Sequence, residues 1–201
     1  MNKVDPKKVI AILFVPVIAI MVWRDWPITQ APGILVGEAP AQELIPAEAR
    51  KPIKYNDSVV EPLATYRIRA RVLSKQRYRF DHGAKVSPID LALGWGPMSD
   101  TAILDQLSVS QDHRFYFLRW QEPPINEKDM MLNSANVHII PANDYIKDQV
   151  LSLRIGQIVE LRGSLVVVSG KDGGEWKSSL SREDSGAGAC ELMYVTQVMK
   201  F

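Results

Sequence analysis

From residue 66 to residue 80 the chain alternates with a period of two. One parity reads Tyr66, Ile68, Ala70, Val72, Ser74, Gln76, Tyr78 and Phe80; the other reads Arg67, Arg69, Arg71, Leu73, Lys75, Arg77 and Arg79. Successive side chains of a strand point to opposite faces, so the run predicts one strand, or two with a bend, burying a single face. Further strands are expected at 114–120 (RFYFLRW), 137–140, 157–168 (QIVELRGSLVVV) and 190–198. The turn SGKDGG at 169–174 predicts a hairpin partner over 175–180.

Short helices are expected between these strands. Ser87 as N-cap, Pro88 at the first helical position and Asp90 in the first turn predict one that stops at Gly94-Trp95-Gly96-Pro97. Ser99 or Asp100 is placed to cap a second through Leu107, and Asn126 a third ending near Leu132. Asn143 caps a fourth, with Ile146, Val150 and Leu153 on one face and Gly156 past its end. The fold class is therefore α+β, mainly β. A helix ahead of a strand bearing Gly156, Val159 and Gly163 suggests a small OB-like Greek-key barrel with helical insertions, a β-sandwich being the alternative.

A second feature lies at the N-terminus. Residues 9–23 (VIAILFVPVIAIMVW) are uninterruptedly apolar, between Lys7 and Lys8 on one side and Arg24 and Asp25 on the other. As a helix the run covers about 22 Å, and snorkelling lysines with Trp23 and Trp26 at the interface extend it toward the roughly 30 Å hydrocarbon core. The run has no polar face and no small-x-small cleavage site follows it, so a retained anchor is expected over a signal peptide or a soluble helix. The lysines precede the span, which places the N-terminus in the cytoplasm and the remainder in the periplasm, at a bacterial inner membrane. Pro27, Pro32, Pro40, Pro46, Pro52 and Pro62 then suggest an extended tether. The expected organisation is an anchor over 1–26, a tether over 27–62 and a β-rich domain over 63–201.

The composition is that of a folded protein, 46% apolar and 23% charged, and the net charge is +1. Without Lys3, Asp5, Lys7 and Lys8 it is about −1, so no global attraction to nucleic acid is expected. A lone cysteine, Cys190, rules out an internal disulfide.

Three stretches, DLALGWGPMSD (90–100), NSANVHIIP (133–141) and SSLSREDSGAGACE (178–191), resemble an uncharacterised family of small membrane-anchored proteins from proteobacteria. The resemblance implies an anchored protein of bacterial source and no particular activity.

Candidate sites are sparse. Arg67, Arg69, Arg71, Lys75, Arg77 and Arg79 form a basic strip suited to an anionic partner, but a solvated strand face is normally charged and no aromatic interleaves for base stacking. His82, His113 and His138 lack the spacing of a metal site, so no metal and no cofactor is expected. Cys190 with His138 is a conceivable thiol and base, and Ser134 lacks the elbow of a hydroxyl nucleophile. Trp95 is either an exposed anchor for a partner or a lid on the core, and Asp100, Arg119, Arg182, Glu183 and Asp184 are charged surface candidates. The expected function is a non-catalytic binding or accessory module of the envelope with a protein partner. The alternatives are a periplasmic hydrolase built on His113, His138, Asp100, Arg119 and the 182–190 loop, and an OB-like nucleic-acid-binding protein. Residue spacing sets neither the partner nor the oligomeric state.

Overall fold

The computed structural model describes residues 25–201 apart from 172 and 182–187. The alternating run lies within one strand of twenty residues, β3 (Ser58–Arg77). Tyr66, Ile68, Ala70 and Val72 are buried, while Arg67 and Arg69 are exposed. One edge of β3 is taken by β8 (Ile158–Gly170), from Ser58 opposite Gly170 to Arg71 opposite Ile158. The other edge is shared in succession by β2 (Ile53–Tyr55), β1 (Ala41–Leu44) and β4 (Ile89–Gly94). The register shifts between Pro62 and Ala64 and again between Val72 and Ser74. Proline has no N–H for a ladder, and the first bulge falls where Pro62 stands.

β4 pairs antiparallel with β7 (Ser134–Pro141), β7 parallel with β10 (Glu191–Lys200), and β10 antiparallel with β8. Because β8 returns to β3, these five strands close on themselves. β9 (Glu175–Lys177) extends β8 at its far end. The enclosed core contains Ile68, Leu91, Val137, Leu161 and Met193. Ile146, Val150 and Leu153, from α3 (Asp144–Leu151) and the turn after it, join the same core. Each such side chain contributes about 1.5–3 kcal/mol by leaving water. The fold is mainly β with a few short helices. No helix among the described residues is long and apolar enough to cross a membrane; the run at 9–23 lies outside them.

Three of the expected helices form where their caps stand, the one capped by Asp100 running only over Thr101–Leu104. Asn126 Oδ1 accepts from Lys128 N at the start of α2 (Glu127–Leu132), and Asn143 Oδ1 from Ile146 N at the start of α3. The helix expected after Ser87 does not form, and residues 89–94 are strand β4 instead. Ile89, Leu91 and Leu93 fill the barrel while Asp90, Ala92 and Gly94 face outward, a period of two that a six-residue buried strand obeys. The Ser87 hydroxyl lies 3.4 Å from Ile89 O rather than capping a helix amide.

The segment expected as a tether lies along the barrel. Ile28 N donates to Ile155 O at 2.7 Å, and Gln30 Nε2 to Gly156 O at 3.0 Å. The amides of Leu35 and Val36 both donate to Ser99 Oγ, and Val36 is buried. Prolines disfavour a long helix here, but the other amides remain free to bond, and the barrel supplies their partners. The boundary expected at 62 accordingly falls inside β3.

Two glycines make these approaches feasible. Gly156 has φ +84°, and a β-carbon there would collide with Ile28 O. At Gly163 a β-carbon would collide with Tyr194 O, where β8 meets β10. Gly163→Ala is expected to cost about 2 kcal/mol or more, because backbone rather than a pliant side chain must give way. Thermal unfolding of the variant against wild type measures this directly.

Candidate functional site

Between β4 and β7 the chain inserts residues 95–133. They form α1 (Thr101–Leu104), a hairpin of β5 (Ser108–Asp112) and β6 (Phe115–Arg119), and α2. The insertion has its own small core, in which Leu73, Ala92, Met98 and Met130 are met by Leu107, Tyr116, Leu118 and Trp120. It covers the outer face of β4 and β7, where Asp90 stands opposite His138, Ala92 opposite Asn136 and Gly94 opposite Ser134.

From Ser134 to His138 every second residue of β7, on that face, is polar, and two of these three hold the hairpin directly. Ser134 Oγ lies 3.1 Å from the Tyr116 hydroxyl. Asn136 accepts from Gln111 Nε2 at 2.7 Å and donates to Arg114 O at 2.9 Å. His138 Nδ1 lies 2.9 Å from Asp90 Oδ1, and its ring packs against Trp176 at 4.9 Å between centroids.

The hairpin tip is a two-residue turn, His113 and Arg114, with φ +49° and +70°. Tight hairpin turns with two left-handed residues favour Asn or Gly, and an ordinary side chain costs about 1–2 kcal/mol at each. Contacts of Arg114 offset that cost. Its Nη1 donates to Asp90 Oδ1 at 2.8 Å and to Ser87 O at 3.0 Å, while Nε and Nη2 grip Asp81 at 2.8 and 2.9 Å. The guanidinium also lies 3.6 Å from the centre of the Tyr78 ring. Burial, followed by the charge of Asp90, pushes the Tyr78 hydroxyl up to about 12, so it stays neutral and accepts from Arg114 N at 3.1 Å. Asp90 Oδ2 and His138 Nδ1 are buried without a hydrogen bond of ordinary geometry. The cluster is a clamp: its carboxylates and rings are filled by the chain's own arginine.

Beside the clamp, four consecutive residues of β6 line a cleft of about 390 Å³. Phe115 and Phe117, 39% and 42% exposed, lie on one side, and Leu132, Ala135 and Cys190 also border it. Among the described strands β6 pairs with β5 alone.

The residues singled out from sequence disperse. Trp95 is 2% exposed and belongs to the barrel core, so it is not an exposed anchor. Asp100 caps α1 through Ala102 N and accepts from Gly33 N, and these backbone donors hold its carboxyl below the ordinary range. His113 is exposed beside Asp112. Arg119 donates to Ser110 Oγ near the hairpin base, and Ser134 Oγ donates to Met130 O. Cys190 Sγ accepts from Asn136 Nδ2 at 3.6 Å, while His138 turns to Asp90 and Trp176. His82 begins a 3-10 turn; Arg182, Glu183 and Asp184 lie outside the described residues. Among the described residues no three His, Cys, Asp or Glu side chains gather as a metal site.

The basic strip is largely engaged. Arg71 is buried and donates to Ser99 O and Thr101 Oγ1. Lys75 and Arg77 donate to Leu153 O and Leu151 O, where cations favour a helix C-terminus. Arg69 stacks on Phe201, Arg79 is exposed, and Arg67 pairs with Glu160 at 3.0 Å.

Asp90, Arg114, Tyr78, Asp81 and Trp176 escaped the sequence reading, since contacts between residues far apart in the chain leave no periodic trace. The alternation of Phe115 and Phe117 was visible in RFYFLRW, but their exposure was not. Comparison with family models, with curated proteins and with solved structures finds no match for this chain.

Two measurements test these electrostatics. Arg114→Met removes the permanent cation from the buried Asp90 carboxylate and is expected to cost about 3–5 kcal/mol, with part recovered by adding Asp90→Asn. Denaturant unfolding of the single and double variants decides it. For Glu160, the hydrogen bonds from Arg67 and then Arg162 pull its carboxyl down to about 2 from 4.5. A depressed carboxylate lends stability that is present above its unfolded pKa and lost as pH falls through the folded one. Glu160→Gln is therefore expected to flatten the decline in melting temperature between pH 4.5 and about 2.

Proposed function

We propose that this chain is a single-pass, membrane-anchored, non-catalytic binding module of the bacterial envelope, whose barrel is of the OB type. Counting β3, β4, β7, β8 and β10 as first to fifth, the barrel order is 1-2-3-5-4-1, third and fifth are parallel, and α3 lies between third and fourth. That order supports the OB reading. In OB barrels the face of strands two and three takes oligonucleotides or oligosaccharides. Here that face carries the chain's own insertion, clamped by Arg114, which argues against the nucleic-acid reading. The N-terminal apolar run with its preceding lysines supports the anchor and the periplasmic placement of the barrel.

The observation that carries the binding function is the cleft beside β6. It joins a strand edge unpaired among the described residues to two half-exposed phenylalanines, the combination an extended peptide uses when it adds a strand and seats alternate side chains. We assign its occupant as an extended, apolar segment of a protein partner. Polar groups that a hydrolase needs are engaged elsewhere: Asp90 and His138 in the clamp, Asp100 in a helix cap.

Cys190 borders the cleft and reports on it. A synthetic peptide rich in Phe and Leu is expected to slow alkylation of Cys190 by a maleimide, and Phe117→Asp to abolish that protection. Alkylation rates indifferent to such peptides, or turnover of an envelope substrate by the purified protein, would argue against a binding module.

A further inference from the structure

The described chain begins on the barrel itself. Asp25 is ion-paired with Lys75 at 2.7 Å, and Ile28 is already hydrogen-bonded to the turn between α3 and β8. The apolar run of the sequence ends at Trp23, two residues before Asp25, and two residues of backbone span about 7 Å at most. An anchor ending there leaves the barrel no slack to stand away from the bilayer.

The surface around that point has the chemistry of a lipid interface. Trp26 is 63%, Phe201 58% and Ile155 36% exposed, and Ile155 O accepts from Ile28 N two residues after Trp26. Arg154 Nε donates to Trp26 O, and Phe201 N to Ile158 O. Around them stand Arg69, Lys75, Arg77, Arg154 and Lys200; Asp25 pairs with Lys75, and Glu160, opposite Arg69 in the sheet, is taken up by Arg67 and Arg162. Tryptophan with basic side chains is the pairing favoured at the headgroup level, and such cations are drawn to anionic lipid.

We propose that this end of the barrel, centred on Trp26, Ile155 and Phe201, rests on the anionic headgroups of the membrane that holds the anchor. The inference rests on the anchor reading above and adds the orientation and the lipid chemistry. It places the β2–β3 turn away from that end, since the β3–β8 ladder runs from Arg71 back to Ser58.

The test uses the full chain with Cys190→Ser, reconstituted in vesicles of phosphatidylethanolamine with phosphatidylglycerol or of phosphatidylcholine alone. A fluorophore is attached at Ile155→Cys or, as a distant reference, at Asp57→Cys, and quenched by lipids carrying a nitroxide near the headgroup. The expected result is quenching several-fold stronger at 155 than at 57, greater in the anionic vesicles, and reduced there by Arg69→Glu with Lys200→Glu. Equal quenching at both labels in protein that resists alkaline extraction would overturn the proposal and leave the anchor standing. Quenching at 155 that ignores lipid charge would overturn the anionic assignment. Extraction by alkali would overturn the anchor reading, and this inference with it.

Discussion

The pairing of β3 with β8 is the constraint on which the rest of the structure depends. It runs from residue 58 to residue 71 of one strand and closes the five-stranded barrel. Without it β3 and β8 would each present an open edge, a row of unpaired amides and carbonyls that invites association with other chains. Closure also fixes which parity of β3 enters the core. The buried set Tyr66, Ile68, Ala70 and Val72 is inside because the register on β8 admits no slip. The rest of the architecture is attached to this pair: β2, β1 and β4 in turn along the free edge of β3, and β9 at the end of β8.

A closed barrel leaves an outer face, and in this chain an insertion covers part of it. The insertion covers β4 and β7 with a second core, held by an arginine whose partners lie on three separate segments: Asp81, Ser87 with Asp90, and Tyr78. Removing that arginine takes the cation from a fully buried carboxylate, while Ser134, Asn136 and the apolar core still hold the insertion. What the insertion leaves open is its own margin, where β6 presents an edge and Phe115 and Phe117. The binding reading follows from this division: charge holds the hairpin in place, and apolar surface remains beside it.

Much of the barrel was legible in the chain because strands and caps are local patterns. The parity of residues 66–72 and the caps at Asn126 and Asn143 were read from spacing alone and stand in the structure. β4 was misread because Ser87, Pro88 and Asp90 imitate a helix start, and a six-residue buried strand offers little periodicity to set against it. The prolines between 27 and 62 disfavour long helices, only a 3-10 turn forming at Ala47–Ala49, but say nothing about the barrel carbonyls waiting for the remaining amides. The site was least legible. Arg114 meets Asp81 across 33 positions and Asp90 across 24, and no periodic rule links residues so separated. Phe115 and Phe117 were seen as a strand pattern, but whether an aromatic strand faces a core or a cleft is decided by what packs on its other side.

The N-terminal segment also sets how the molecule answers a mechanical load. Ile28 and Leu35 are each tied to the barrel by one hydrogen bond and Gln30 and Val36 by two or more, at scattered points, whereas β3 and β8 share a continuous ladder. Tension applied at the N-terminus meets those isolated bonds one after another, and the segment peels away in small steps before force reaches the ladder. The N-terminal segment is thus held bond by bond, whereas the barrel is held by a ladder whose neighbouring pairs share any load.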